Sequence, residues 1–134
     1  MPSIDAIEGV GVRNLAKLRR AKCRTTGALL KKGATRRDRR DLAAETGLST
    51  SDLLEWVNRA DLMRIKGIGN EYSDLLEEVG VDTIRALRRR NAANLTKTMQ
   101  DINAEKRAVQ RLPTQAMVVG WVEAAKSLEP IVSY

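Results

Sequence analysis

Residues 4–11 read Ile-Asp-Ala-Ile-Glu-Gly-Val-Gly, and residues 62–69 read Leu-Met-Arg-Ile-Lys-Gly-Ile-Gly. Both octets follow one pattern, apolar-x-x-Ile-x-Gly-apolar-Gly, at a spacing of 58 residues. The register persists downstream, pairing Leu18 with Leu76, Thr25 with Thr83, Ala28 with Ala86 and Leu29 with Leu87. One Gly-apolar-Gly triplet is what any glycine turn produces. Two in matched surroundings report a repeated supersecondary unit. That unit reads as helix, tight glycine hairpin, helix.

The repeat reaches into the back half of each unit, where Trp56-Val57-x-x-Ala60 pairs with Trp121-Val122-x-x-Ala125. Each Trp sits on an apolar helical stripe, so the two are expected to be equivalent core pegs rather than stacking platforms. The fold expected is therefore all-α, two tandem hairpin-containing repeats in one helical domain. Residues 1–60 would form the first repeat, 61–128 the second, and 129–134 a loose tail.

Helical spacing dominates the rest of the chain, and no alternating stretch of useful length appears. Helices are expected at about 3–8, 12–22 and 35–46, the last stopped by Gly47. Another, capped by Ser49, is expected to continue to Gly67. Asn70 and Asp82 are placed as caps of the next two. Residues 92–110 and a segment opened by Pro113-Thr114 complete the set.

The 134 residues include 43% hydrophobic side chains but no Phe, two Trp and two Tyr, so the core must be mainly aliphatic. The single Cys23 cannot close an internal disulfide and is expected to be a small buried hydrophobe in a reducing, cytoplasmic setting. No secretory signal and no run near the ~20 apolar residues of a spanning helix is visible. With no His and one Cys, neither an imidazole base nor a Cys/His metal site can be assembled. The expectation is a non-enzyme without cofactor or metal.

The net charge of +7 is unevenly spread. Residues 13–40 hold twelve Lys or Arg against Asp38 alone. Such density attracts polyanions. Nucleic acid fits better than a membrane surface, because the aromatics of an interfacial helix are missing. The same scarcity argues against a single-strand binder built on base stacking.

The hairpin supplies a chemical reason. A first glycine ends one helix at positive φ, which only Gly adopts cheaply. The apolar residue, Val10 or Ile68, tucks inward. The second glycine lets the backbone approach an outside group, and the helix beyond it opens with amides that lack internal partners. Those amides and the helix dipole suit an anion.

Here the chain resembles the helix-hairpin-helix superfamily, with Leu18 and Leu76 at the leucine seven residues after the second glycine. The resemblance implies binding of duplex phosphates by the hairpin backbone without base reading, paired copies straddling the minor groove. Residues 59–83, 42–49 and 111–114 are similar to a tandem helix-hairpin-helix family labelled domain of unknown function 4332. What that similarity implies is architecture.

The candidate nucleic-acid-binding residues are Gly9, Val10, Gly11, Arg13, Lys17, Arg19, Arg20, Lys22 and Arg24 at the first hairpin. Lys66, Gly67, Ile68 and Gly69 are the second set. Glu71 and Asp74 follow Gly69 and repel phosphate, so the second hairpin reads better as a structural turn; Glu8 weighs against the first. Residues 39–59 also carry helix-turn-helix grammar, flanked by Arg36, Arg37, Arg39 and Arg40, but Asp52 and Glu55 favour a structural helical corner. Arg88-Arg89-Arg90 is explained by the helix dipole. The function expected is sequence-independent binding of duplex nucleic acid, DNA ahead of RNA. The alternative is a protein-protein scaffold whose acidic second hairpin docks a basic partner.

Overall fold

The computed structural model describes residues 2–7 and 9–134. A 3-10 turn, Ile4–Ala6, precedes eight α-helices: α1 Val12–Arg20, α2 Thr26–Gly33, α3 Arg36–Thr46, α4 Thr50–Leu62, α5 Asn70–Glu78, α6 Ile84–Arg88, α7 Ala92–Lys106 and α8 Gln115–Ser127. The chain is all-helical among the described residues, apart from an isolated antiparallel bridge between Ser3 and Thr25. No helix there is long and apolar enough to cross a membrane. Two units emerge: residues 1–61 with 130–134, and residues 62–129.

Side-chain caps set most helix starts. Thr25, Thr35, Thr83, Asn91 and Thr114 each accept the amide three residues on, and Ser49 accepts Asp52 N at 3.1 Å. Such a cap contributes about 1 kcal/mol. Thr83 rather than Asp82 therefore caps α6, and Gly69, without a side chain, precedes α5. Gly47, at φ +76°, stops α3 as its sequence suggested.

The helix expected at 3–8 is only the 3-10 turn and α1 ends two residues short, while two others, α4 and α7, end four or five residues earlier than their sequences suggested. α4 stops at Leu62, and two i→i+3 turns follow, Ile65 N to Leu62 O and Ile68 N to Ile65 O. That tighter winding keeps residues three apart on one side, so Leu62, Ile65 and Ile68 all enter one core. α7 stops at Lys106 because the Asn103 amide bonds both the N–H and the C=O of Val109, at 3.0 and 3.1 Å. A local side-chain alternative to helical hydrogen bonding of this kind breaks helices. It also turns Val109 inward.

In the first unit, Ile4, Val10, Leu18, Leu29, Leu53 and Val57 are essentially inaccessible, with Trp56 also buried. Gly33 lets α2 approach Val57 of α4 closely: a Cβ at Gly33 would stand 2.6 Å from Val57 Cγ1. Cys23 is fully buried, and burial pushes its thiol pKa up, with nearby Lys32 opposing and Glu45 reinforcing the shift. It behaves as the buried hydrophobe expected.

The C-terminal residues, expected loose, are held. Ile131 N and Val132 N donate to the Asp61 carboxylate, Ser133 N donates to Ala34 O at 2.8 Å, and Tyr134 Oη bonds Asn58 Oδ1 at 2.8 Å. Val132 is buried. Arg39 anchors the same segment through Ser133 O.

In the second unit, α8 packs against α6 and α7. Its Val118, Trp121, Val122 and Ala125 make the buried stripe. Tyr72 lies on Trp121 with ring centroids 5.2 Å apart, and its hydroxyl donates to Arg111 O. Both Trp are thus core pegs.

Candidate nucleic-acid interface

The first hairpin is open. Gly9 and Gly11 have φ of +87° and +86°, and apart from the adjoining residues no atom of the described chain lies within 4 Å of where a Cβ would be at either position. Between them Val10 is buried at 2% exposure. Asn14 Nδ2 donates to Val10 O at 2.9 Å, which fastens the bend to the first turn of α1. Gly11 caps α1 without a side-chain hydrogen bond, and no acidic residue occupies that first turn. Unsatisfied amides at a positive dipole end favour an anion. Glu8 lies outside the described residues.

α1 places its cations on the outside because Leu18 is drawn fully inward while Asn14, Leu15 and Ala16 are half-buried. Arg13, Lys17 and Arg20, spaced i, i+4 and i+7, share one side of the helix over about 10 Å. Arg19 flanks the opposite edge of the exposed face, and Arg24 follows in the loop. All six candidates from Arg13 to Arg24 are exposed. None has an ion-pair partner among the described residues.

They do not make one continuous floor. Lys17 and Arg20 share a small cleft with Glu45 and Thr46. Lys22 belongs to a cleft of about 550 Å³ between α2 and α3, where Lys31 and Lys32 stand with Asp38, Asp41 and Glu45. Lys22 also takes φ +67°, whereas Gly80, 58 residues on, takes +84°. The backbone there is left-handed in both, and only the glycine is free of strain.

The second hairpin is built differently. Gly67 has φ +95° and is exposed, but a Cβ there would stand 3.1 Å from Trp121 Nε1, so the buried indole abuts the bend from within. Ile68 is buried, and Lys66 and Gly69 are exposed. Gly69 takes φ −102°, an extended conformation open to any residue. Glu71 occupies the first turn of α5.

Of the arginines flanking the helical corner, Arg39 is unavailable to a ligand. Only 4% exposed, it donates to Gly33 O at 2.8 Å, Ala34 O at 3.0 Å and Ser133 O at 2.6 Å. Burial lowers its pKa. It satisfies carbonyls at the end of α2. Arg36, Arg37 and Arg40 remain exposed. Arg88 and Arg90 likewise serve carbonyls, those of Leu128 and Val79.

Asn14 and Val12 escaped the sequence reading. Asn14 could have been found as a polar residue four after the buried Val10. Val12, 85% exposed beside Gly11, broke no visible pattern.

No curated protein and no solved structure matches the chain. A family model described as a domain of unknown function (DUF4332) matches residues 8–128, nearly the whole length. The chain therefore belongs to the DUF4332 family.

Proposed function

We propose that this protein binds duplex nucleic acid, DNA ahead of RNA, through backbone phosphates and without reading sequence or catalysing a reaction. In this reading the two Gly-apolar-Gly bends belong to tandem helix-hairpin-helix repeats, of which the first is the binding one. Gly9, Val10 and Gly11 shape the bend, the first amides of α1 hold one phosphate, and Arg13, Lys17 and Arg20 follow the strand. The observation that carries the reading is the open bend at Gly9 and Gly11, beside exposed cations without ion-pair partners among the described residues. Contacts of this kind position a protein on the duplex without sequence preference.

Fluorescence anisotropy with two unrelated duplexes tests it. Three phosphate contacts predict a slope of about −3 in log affinity against log salt, at about −0.9 per contact. Both duplexes should bind alike, and Arg13→Glu with Lys17→Glu should abolish binding. No binding near about 50 mM salt, where such contacts are strong, would remove the proposal.

The second hairpin supports a different reading for its own unit. With Gly67 packed against Trp121 and Glu71 heading α5, that bend works as a structural turn. Its acidic side would suit a basic protein partner, and a stoichiometric partner recovered without any duplex affinity would favour that scaffold role.

A further inference from the structure

Lys22 follows the end of α1, at a position where glycine is the ordinary choice. Its N–H donates to Arg19 O at 3.0 Å, and the next N–H, that of Cys23, donates to Leu18 O at 2.8 Å. Gly80 and Val81 make the same pair of bonds after α5, to Glu77 O at 3.0 Å and Leu76 O at 2.8 Å. A helix end of this kind needs a left-handed residue, and glycine takes that shape without strain. The first repeat instead holds a lysine there, at φ +67°, and its side chain lines the cleft between α2 and α3. Such strain gathers at ligand sites. The rest of the cleft is equally polar. Asp38, Asp41 and Glu45, at i, i+3 and i+7, share one side of α3 over about 10 Å. Lys31 and Lys32 stand in the last turn of α2, and Lys32 Nζ is fixed by donating to Ala21 O. No ammonium of the cleft pairs with a carboxylate among the described residues. Ala28 and Leu42 complete the lining.

We infer that this cleft binds a small dipolar ion, with its ammonium on the α3 carboxylates and its anionic group on Lys22, Lys31 and Lys32. The inference does not rest on nucleic-acid binding, because Arg13, Lys17 and Arg20 do not line the cleft. Its volume of about 550 Å³ lies within the range of small-molecule sites. A ligand of one sign meets like charges on one element and loses there what it gains on the other. A molecule carrying both signs gains on both, since opposite charges attract and like charges repel over a few ångströms. Ala28 and Leu42 offer apolar surface to a short methylene stem. The class is therefore a linear amino acid with its amine and its carboxylate at opposite ends.

The test titrates the full chain with ε-aminocaproate, and separately with hexylamine and hexanoate, which keep the stem and carry one charge each. Saturable amide shifts in the NMR spectrum report binding. Aminocaproate should bind about tenfold more tightly than either singly charged molecule. Lys22→Gly and Asp41→Asn should each weaken it about fivefold, the loss of one partly exposed charge contact. Lys22→Gly also relieves the left-handed strain, so its melting temperature should equal or exceed that of wild type while binding falls. That opposition separates a ligand contact from a merely structural lysine. Equal affinity for the three molecules, or no saturable shift with any, overturns the site. Aminocaproate affinity that either variant leaves unchanged overturns it too.

Discussion

The carboxylate of Asp61 accepts the backbone amide of Ile131, 70 positions further along the chain, at 3.1 Å, and that of Val132 at 3.4 Å. Asp61 is the last residue before the chain leaves the first unit, and Pro130 is the first on its return. The exit and the re-entry are therefore pinned to one buried side chain. Asp61→Ala removes a buried carboxyl acceptor and leaves amides of the returning segment without it, which should lower unfolding free energy by about 2–3 kcal/mol. A urea midpoint equal to that of wild type would mean that the segment adds nothing to stability.

Gly33 predicts a clash that can be relieved. Its missing Cβ leaves room for Val57 Cγ1, 2.6 Å from where that carbon would be. Gly33→Ala should destabilise by about 1–3 kcal/mol, the ordinary range for overpacking. Combined with Val57→Ala, the loss should be smaller than the sum of the two single losses. Strict additivity in a double-mutant cycle would show that the two side chains do not meet.

Gly11 and Gly69 occupy matching places in the two octets, yet they should respond differently to alanine. Gly11 has φ +86° and ψ 156°, a region closed to nearly every other residue. Gly11→Ala should cost about 1–3 kcal/mol through backbone strain. Gly69 is extended with open space at its Cβ position. Gly69→Ala should be neutral or stabilise by up to about 1 kcal/mol, by restricting the unfolded chain. Thermal melts of the two variants, compared side by side, decide the matter.

Cys23 should report its burial through pH. The folded state holds the thiol proton more tightly than the unfolded state, because burial raises its pKa above the ordinary 9.0. Its contribution to stability is therefore intact below that value and falls as pH rises through it and beyond. The stability difference between wild type and Cys23→Val should be flat at neutral pH and should decline for wild type from about pH 9 upward. Native protein should also resist thiol labelling that urea-unfolded protein accepts rapidly. Fast labelling in the native state would contradict the burial.

The helical class could be read in the sequence because periodicity and caps are local. Ser49, Thr35, Thr114 and Gly47 act within a turn of where they stand, and both Trp lie on stripes visible at helical spacing. Arg39 was not legible. It shares a helix face with Leu42, and of the three carbonyls that make it structural one belongs to Ser133, 94 residues away. Long-range partners leave no periodic mark. The two glycine bends looked alike for the same reason, since the indole that abuts Gly67 comes from Trp121, far along the chain. The exposure of Val12 was equally hidden, because nothing in a valine announces which side of a helix start it will face.

Both ends of the described chain belong to one body. Ser3 bridges to Thr25 near the start, and Ser133 bonds Ala34 near the finish, while residues 62–129 form an insertion between them. Tension applied to the termini must pass through the host before it reaches the guest. Stretched from its ends, the molecule would yield first at residues 1–61 and 130–134, and the inserted segment would bear no load until that frame had come apart.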